Sequence, residues 1–155
     1  MTGVGTDQLT SSAARLTTVA EPRLLARREF AGRPDQVRAA RWWLRRMIDG
    51  LPVATDVVLA CSELASNAII HSDSGLPGGR FTIRLSVEAD LIRIEVIDQG
   101  GQWTNLRSRW LGASDGEADD SQSGRGLTIV AALASSWGIG GDEEGRTAWC
   151  EIRAS

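Results

Sequence analysis

Residues 80–88 alternate strictly. Phe81, Ile83, Leu85 and Val87 are interleaved with Arg80, Thr82, Arg84, Ser86 and Glu88. After Ala89-Asp90 the pattern resumes, with Ile92, Ile94 and Val96 set against Arg93 and Glu95 and ending at Asp98. A period of two with one apolar side predicts two strands, buried on one face and wet on the other, joined by a tight turn. Such a hairpin needs a cover on one face only. The segments around it can supply that cover. After Pro34, Val37, Ala40, Trp43, Leu44 and Ile48 recur at helical spacing, Arg38, Arg41, Arg45 and Arg46 fall largely on the other side, and Gly50 ends the run. A second helix opens at Pro52 and runs to about Ser72, with Val57, Cys61, Leu64 and Ala68 as its stripe. Glu21–Ala31 is predicted as a first strand, Leu127–Ser135 as a third helix with a glycine-rich start, and Trp137–Ile139 and Thr147–Arg153 as two closing strands. Strand, two helices, hairpin, loop, helix, hairpin predicts an α/β two-layer sandwich, a mainly antiparallel mixed sheet with helices on one face.

A chain of 155 residues has room for one domain. Residues 1–20 are polar and rich in Ser and Thr, without the apolar core of a signal peptide, and read as a disordered tail before a domain spanning 21–155. No apolar run is long enough to cross a bilayer, so a cytoplasmic protein without membrane contact is expected. One histidine and two distant cysteines make no zinc set, and Cys61 and Cys150, each inside an apolar stretch, read as small buried hydrophobes.

All 17 basic residues are arginine. A Walker-type phosphate loop and a protein-kinase fold both place a lysine on the phosphates, so neither is available. A nucleotide site here must use backbone amides, arginine and a metal. The net charge of −3 argues against a nucleic-acid binder held by phosphate contacts. The charge is uneven: residues 21–50 carry eight arginines against four acids, residues 51–155 eight against fifteen. The basic third fits either an acidic docking partner or a solvated helix face.

Four groups of residues carry chemistry. The second helix is apolar, yet Glu63, Asn67 and His71 stand on it at successive i+4 spacing as one polar stripe. A carboxylate and an amide one turn apart can hold a water and a hard cation together. Mg²⁺ takes oxygen ligands and leans on substrate phosphates, Asn67 offers such an oxygen, and Glu63 can act as a general base. At the end of a strand, Asp98-Gln-Gly100-Gly101 combines an acceptor for an exocyclic amine with backbone free to turn sharply. Gly124-Arg125-Gly126-Leu127 opens a helix, where backbone amides favour anions. Gly145-Arg-Thr147, before the last strand, is a fourth short motif. Each taken alone also fits an exposed stripe, an ordinary turn, a glycine-rich helix start or a plain strand residue.

In order and spacing the four motifs resemble the GHKL ATPase superfamily of gyrase, heat-shock chaperone, histidine kinase and mismatch-repair ATPases. Glu63 to His71 resembles its N box, Asp98-Gln-Gly100 and Gly124-Arg-Gly126-Leu127 its two glycine boxes, and Gly145-Arg-Thr147 its late threonine box. The likeness is greatest to the small stand-alone branch, the anti-sigma-factor serine/threonine kinases. It implies a Bergerat-type ATP-binding fold, with ATP and Mg²⁺ as ligands and residues 102–123 as a lid. It further implies Asn67 on Mg²⁺, Glu63 as base, His71 near the phosphates and Arg125 on the γ-phosphate. Asp98 would lie on the adenine amine with Thr147 in support through water, and Gly100, Gly124, Gly126 and Leu127 would shape the pocket. As partners it implies a sigma factor or an anti-sigma antagonist protein, with a homodimer. The sequence departs from the superfamily in lacking a full DxGxG first box and in an acidic lid carrying Asp115, Glu117, Asp119 and Asp120. Three readings remain open: a kinase for a serine or threonine of the antagonist, a catalytically weak or inactive module that grips a protein when ATP is bound, and an α/β interaction domain that binds no nucleotide.

Overall fold

A computed structural model describes residues 22–101 and 123–154, with side chains from 126 onward in the second stretch. The chain forms β1 (Arg23–Ala31), α1 (Pro34–Met47), α2 (Ala54–His71), a 3-10 turn (Asp73–Gly75), β2 (Arg80–Glu88), β3 (Leu91–Asp98), α3 (Ser123–Leu133), β4 (Ser136–Asp142) and β5 (Gly145–Arg153). The expected tail, and the expected lid apart from Ser123, lie outside the described residues. Among the described residues no helix is long and apolar enough to cross a membrane.

The strands make one sheet in the order β1-β2-β3-β5-β4. Every neighbouring pair is antiparallel, in keeping with the mainly antiparallel sheet that the sequence predicted. The reason lies in the connection between β1 and β2. A single crossover helix would return the chain for a parallel strand, but α1 and α2 form a helical pair that delivers it to the end where β1 finished. The alternating hairpin forms as expected around Ala89-Asp90, with Ile83 opposite Val96 and Leu85 opposite Ile94.

One face of the sheet packs on the helices. Leu44 of α1, Val57, Cys61 and Leu64 of α2, and Ile83, Leu85, Ile94 and Cys150 of the sheet are fully buried between the layers. Both cysteines are free. Burial pushes the Cys150 thiol up to about 12 and the Cys61 thiol upward as well, so both pack as inert hydrophobes. The opposite face is held by ion pairs and stacking: Arg93 lies 4.1 Å over the Trp149 ring and 2.8 Å from Glu151.

The loop after β3 is stitched down on both sides. The Gln99 N–H donates to the buried Ser74 Oγ (3.0 Å), and the Asp73 N–H donates to the Gly100 carbonyl (2.8 Å). The Gly101 N–H donates to the Glu143 carbonyl in the β4–β5 turn (2.8 Å). Gly100 has φ +74°, and a Cβ there would stand 2.0 Å from the Glu143 carbonyl oxygen. The glycine pair expected to let the backbone turn sharply thus makes a close approach to the backbone of the β4–β5 turn.

Candidate nucleotide site

The C-terminal half of α2 points its polar stripe at the ends of β3 and β5. Asn67 is only 8% exposed. Its Nδ2 is buried with no hydrogen-bond partner among the described residues. A buried amide left unpaired costs about 1–3 kcal/mol, so Asn67 is a polar group suited to something the folded chain does not itself supply. Leu64, Asn67, Ala68, His71, Asp98, Ile139 and Ala148 surround a cavity of about 10 Å³, room for about one water.

Asp98 lines this cavity from the last position of β3. Its Oδ1 accepts from the Gly100 N–H at 2.7 Å and from the Arg146 N–H at 3.3 Å. Burial pushes its carboxyl above the ordinary carboxylate value, opposed by the Gly100 amide and the Arg146 guanidinium.

Glu63 lies one turn up α2 and faces α3. A Cβ built on Gly126 would stand 2.6 Å from Glu63 Oε2 and 3.6 Å from Glu63 Cβ, so the glycine is what lets the carboxylate lie against the first turns of α3. Gly126 is buried and Leu127 half-buried. Gly124 and Arg125 belong to the first turn of α3, with their side chains outside the described residues. The structure therefore brings Asn67, His71 and Asp98 to one cavity, and Glu63 to Gly126 beside it.

Thr147 is placed elsewhere. In β5, Arg146, Ala148, Cys150 and Ile152 point to the helix layer, while Thr147, Trp149 and Glu151 point to the open face. Asp98 is paired in register with Arg146, and Thr147 with Ile97. The residue sharing a face with Asp98 is thus Arg146, whose side chain is fully buried, with Nε 3.6 Å from Asp98 Oδ1. Its Nη2 donates to the His71 carbonyl at the end of α2 (3.2 Å), where a cation is favoured. The motif reading missed this residue. Alternation counted backward from Ile152, Cys150 and Ala148 would have found it.

Among the described residues no three His, Cys, Asp or Glu side chains cluster as a metal cage. The donor set suits Mg²⁺ instead, which takes one or two protein oxygens and completes its shell with water and phosphate.

A helix bearing an acid and an amide, a strand-end aspartate and a glycine-opened helix, converging beneath one antiparallel sheet, define a domain of the ATP-binding, histidine-kinase-like class. Residues 30–150 match the family described as the histidine kinase-like ATPase domain, and the chain belongs to that family. No curated protein matches it. Among solved structures it is similar to one of the RsbU and RsbW domains of Rv1364c from Mycobacterium tuberculosis, with 23% identity and a TM-score of 0.59; the match covers 83% of this chain but 32% of that one. It is also similar to one of the SiaB–SiaC complex from Pseudomonas aeruginosa, with 17% identity and a TM-score of 0.55, covering 84% of this chain and 90% of that one. At these identities the two likenesses speak for the fold.

Proposed function

We propose that this chain binds Mg·ATP between α2, the end of β3 and the start of α3, and phosphorylates a serine or threonine of a protein partner of the anti-sigma antagonist kind, a sigma factor being a second partner it sequesters. The observation that carries this reading is the convergence of Asn67 and Asp98 on one cavity, with Glu63 held against Gly126 at its side. Asn67 supplies an oxygen to Mg²⁺, which on binding neutralises phosphate charge. Asp98 takes the adenine amine. Glu63 accepts the proton of the attacking hydroxyl while that oxygen bonds to the γ-phosphorus and the bond to the β–γ bridging oxygen breaks, leaving ADP. Such transfer rests mostly on positioning and charge, which matches a site of few residues. Arg125 on the γ-phosphate, Leu127 beside the pocket and residues 102–123 as lid complete the assignment, as does a cytoplasmic setting.

The partner surface in this proposal is the outer face of α1. Arg38 and Arg41 line a groove of about 290 Å³ with Pro34, Val37, Ile69 and Ile70. Beside it Arg46 stacks 4.7 Å over Trp42, itself 61% exposed. Basic and apolar groups together suit an acidic partner with an apolar anchor. A homodimer is part of the same proposal, and β1, at the sheet edge with exposed Leu24 and Leu25, supports it. The test is a single-turnover reaction with labelled ATP and a candidate antagonist protein. Transfer by the wild type that is lost in Glu63→Ala is expected. No transfer, or undiminished transfer in the variant, counts against a kinase. Nucleotide-dependent capture without transfer would favour the binding module.

A further inference from the structure

Resting on the nucleotide reading above, we infer that Ser74 is a positioning residue for the base: its buried hydroxyl holds the loop that aims Asp98, and so sets how strongly the site requires the 6-amino group of a purine. Asp98 Oδ1 accepts the Gly100 N–H at 2.7 Å, so the direction of the carboxylate depends on the Gln99–Gly100 peptide. That peptide is pinned on both flanks. Before it, the Gln99 N–H donates to Ser74 Oγ at 3.0 Å; after it, the Gly100 carbonyl accepts the Asp73 N–H at 2.8 Å. The Ser74 hydroxyl therefore acts on the peptide that directly follows Asp98.

Ser74 can anchor the loop because it is itself fixed. It is fully buried. Its N–H donates to Ser72 Oγ at 3.0 Å, and that hydroxyl donates to the Ala68 carbonyl at 2.6 Å. A Cβ on Gly32 would overlap the Ser74 carbonyl oxygen, so the turn between β1 and α1 packs directly against it. Ala68 follows Asn67 in α2. The two serine hydroxyls thus tie the helix that bears Asn67 to the strand end that bears Asp98, and the two ends of the proposed site keep one spacing. A binding group must be held to within about 0.5 Å for a directional hydrogen bond, and locked supporting hydrogen bonds hold it there. Without the Ser74 acceptor the Gln99 N–H can turn toward water, and the Gly100 N–H and the Asp98 carboxylate turn with it.

Isothermal titration in Mg²⁺ compares ATP with purine riboside triphosphate, which lacks only the 6-amino group. The readout is the ratio of the two affinities, in which a loss of folded protein cancels. The wild type is expected to favour ATP by about ten- to a hundredfold, the range for a hydrogen bond to a charged acceptor. Ser74→Ala should lower that preference by roughly three- to tenfold, by weakening ATP and not the analogue. Ser74→Cys fills similar space with a weak acceptor and should follow alanine. A preference unchanged within about twofold in Ser74→Ala overturns the inference. Retention of the preference in Ser74→Cys overturns it too, because the hydroxyl would then only fill space. Amide hydrogen exchange on the wild type needs no variant to fold: a Gln99 amide protected like those of β3 supports the inference, and one exchanging like an open loop overturns it. If ATP fails to bind the wild type, the nucleotide reading falls. If ATP binds without preference over the analogue, the assignment of Asp98 to the base falls and this inference with it. If the preference is present and survives both variants, only this inference falls.

Discussion

Gly126→Ala separates the role of Glu63 from the stability of the fold. Gly126 sits early in α3, and replacing a helical glycine by alanine stabilises by about 0.5–1 kcal/mol through backbone entropy. The added Cβ would stand 2.6 Å from Glu63 Oε2, the far end of a flexible side chain, with the Glu63 Cβ at an ordinary 3.6 Å. Glu63 can yield by rotating, at about 0.5–1.5 kcal/mol if it leaves a favoured rotamer. The two terms nearly cancel. For a chain of 155 residues the net change of less than about 1 kcal/mol keeps Tm within roughly 2–4 °C of wild type. The chemistry has no such compensation. Complete loss of a positioned base costs about 10²- to 10⁴-fold, so displacement should slow the reaction by at least about tenfold. Calorimetry gives Tm, and transfer of labelled γ-phosphate from ATP to the antagonist protein under single-turnover conditions gives the rate, with Glu63→Gln as reference. The rate is read at saturating ATP, because the proposed nucleotide site reaches the start of α3, where Gly126 lies. A variant with unchanged Tm and an unchanged rate would refute the assignment of Glu63 as base, since the carboxylate would have moved without consequence.

Three further outcomes follow from the same geometry. Asn67→Leu removes a buried donor without a partner among the described residues, so its urea midpoint should hold or rise while the Mg²⁺-dependent part of ATP affinity disappears; a large drop in midpoint with Mg²⁺ dependence intact would contradict this. Asp98 has a folded-state carboxyl above its ordinary value of 3.8, with burial as the largest cause. On acidification it is therefore protonated earlier than an exposed aspartate, and ATP affinity should weaken at a higher pH than such a group would give, a dependence that Asp98→Asn flattens. The stability effect has the opposite sign, because the raised value means that ionising Asp98 costs the fold: this cost is absent below the unfolded value and fully present above the folded one, measurable as the pH slope of the urea midpoint. Gly100→Ala places a side chain at φ +74° and a Cβ 2.0 Å from the Glu143 carbonyl oxygen, so it should destabilise by more than the roughly 1–2 kcal/mol of left-handed strain alone, read by calorimetry.

What was legible in the sequence divides along physical lines. Burial periodicity was legible: the stripes Ala40, Trp43, Leu44 and Val57, Cys61, Leu64 and the alternation of residues 81–98 each reached the core, because one apolar face leaves a chain few ways to hide it. The i+4 stripe of Glu63, Asn67 and His71 was legible for the same geometric reason. Strand order was not, since β5 pairs with β3 across the whole of α3 and β4, and such a pairing leaves no local pattern. The tie between Ser74 and Gln99 was hidden as well, because a hydrogen bond between residues 25 apart in sequence leaves no local pattern. The most instructive difference is at 146 and 147. A motif match favours the small hydroxyl of Thr147 and treats the arginine as filler. Yet a period of two fixed at Ile152 leaves no freedom four and six residues back, and it puts Ala148 and Arg146, not Thr147, on the face of Asp98. In a short motif on a strand, the parity of each position is thus a stronger guide to the site than residue type. It turns the arginine in the middle of the Gly145–Thr147 motif into the neighbour of Asp98, the carboxylate among the described residues that line the cavity.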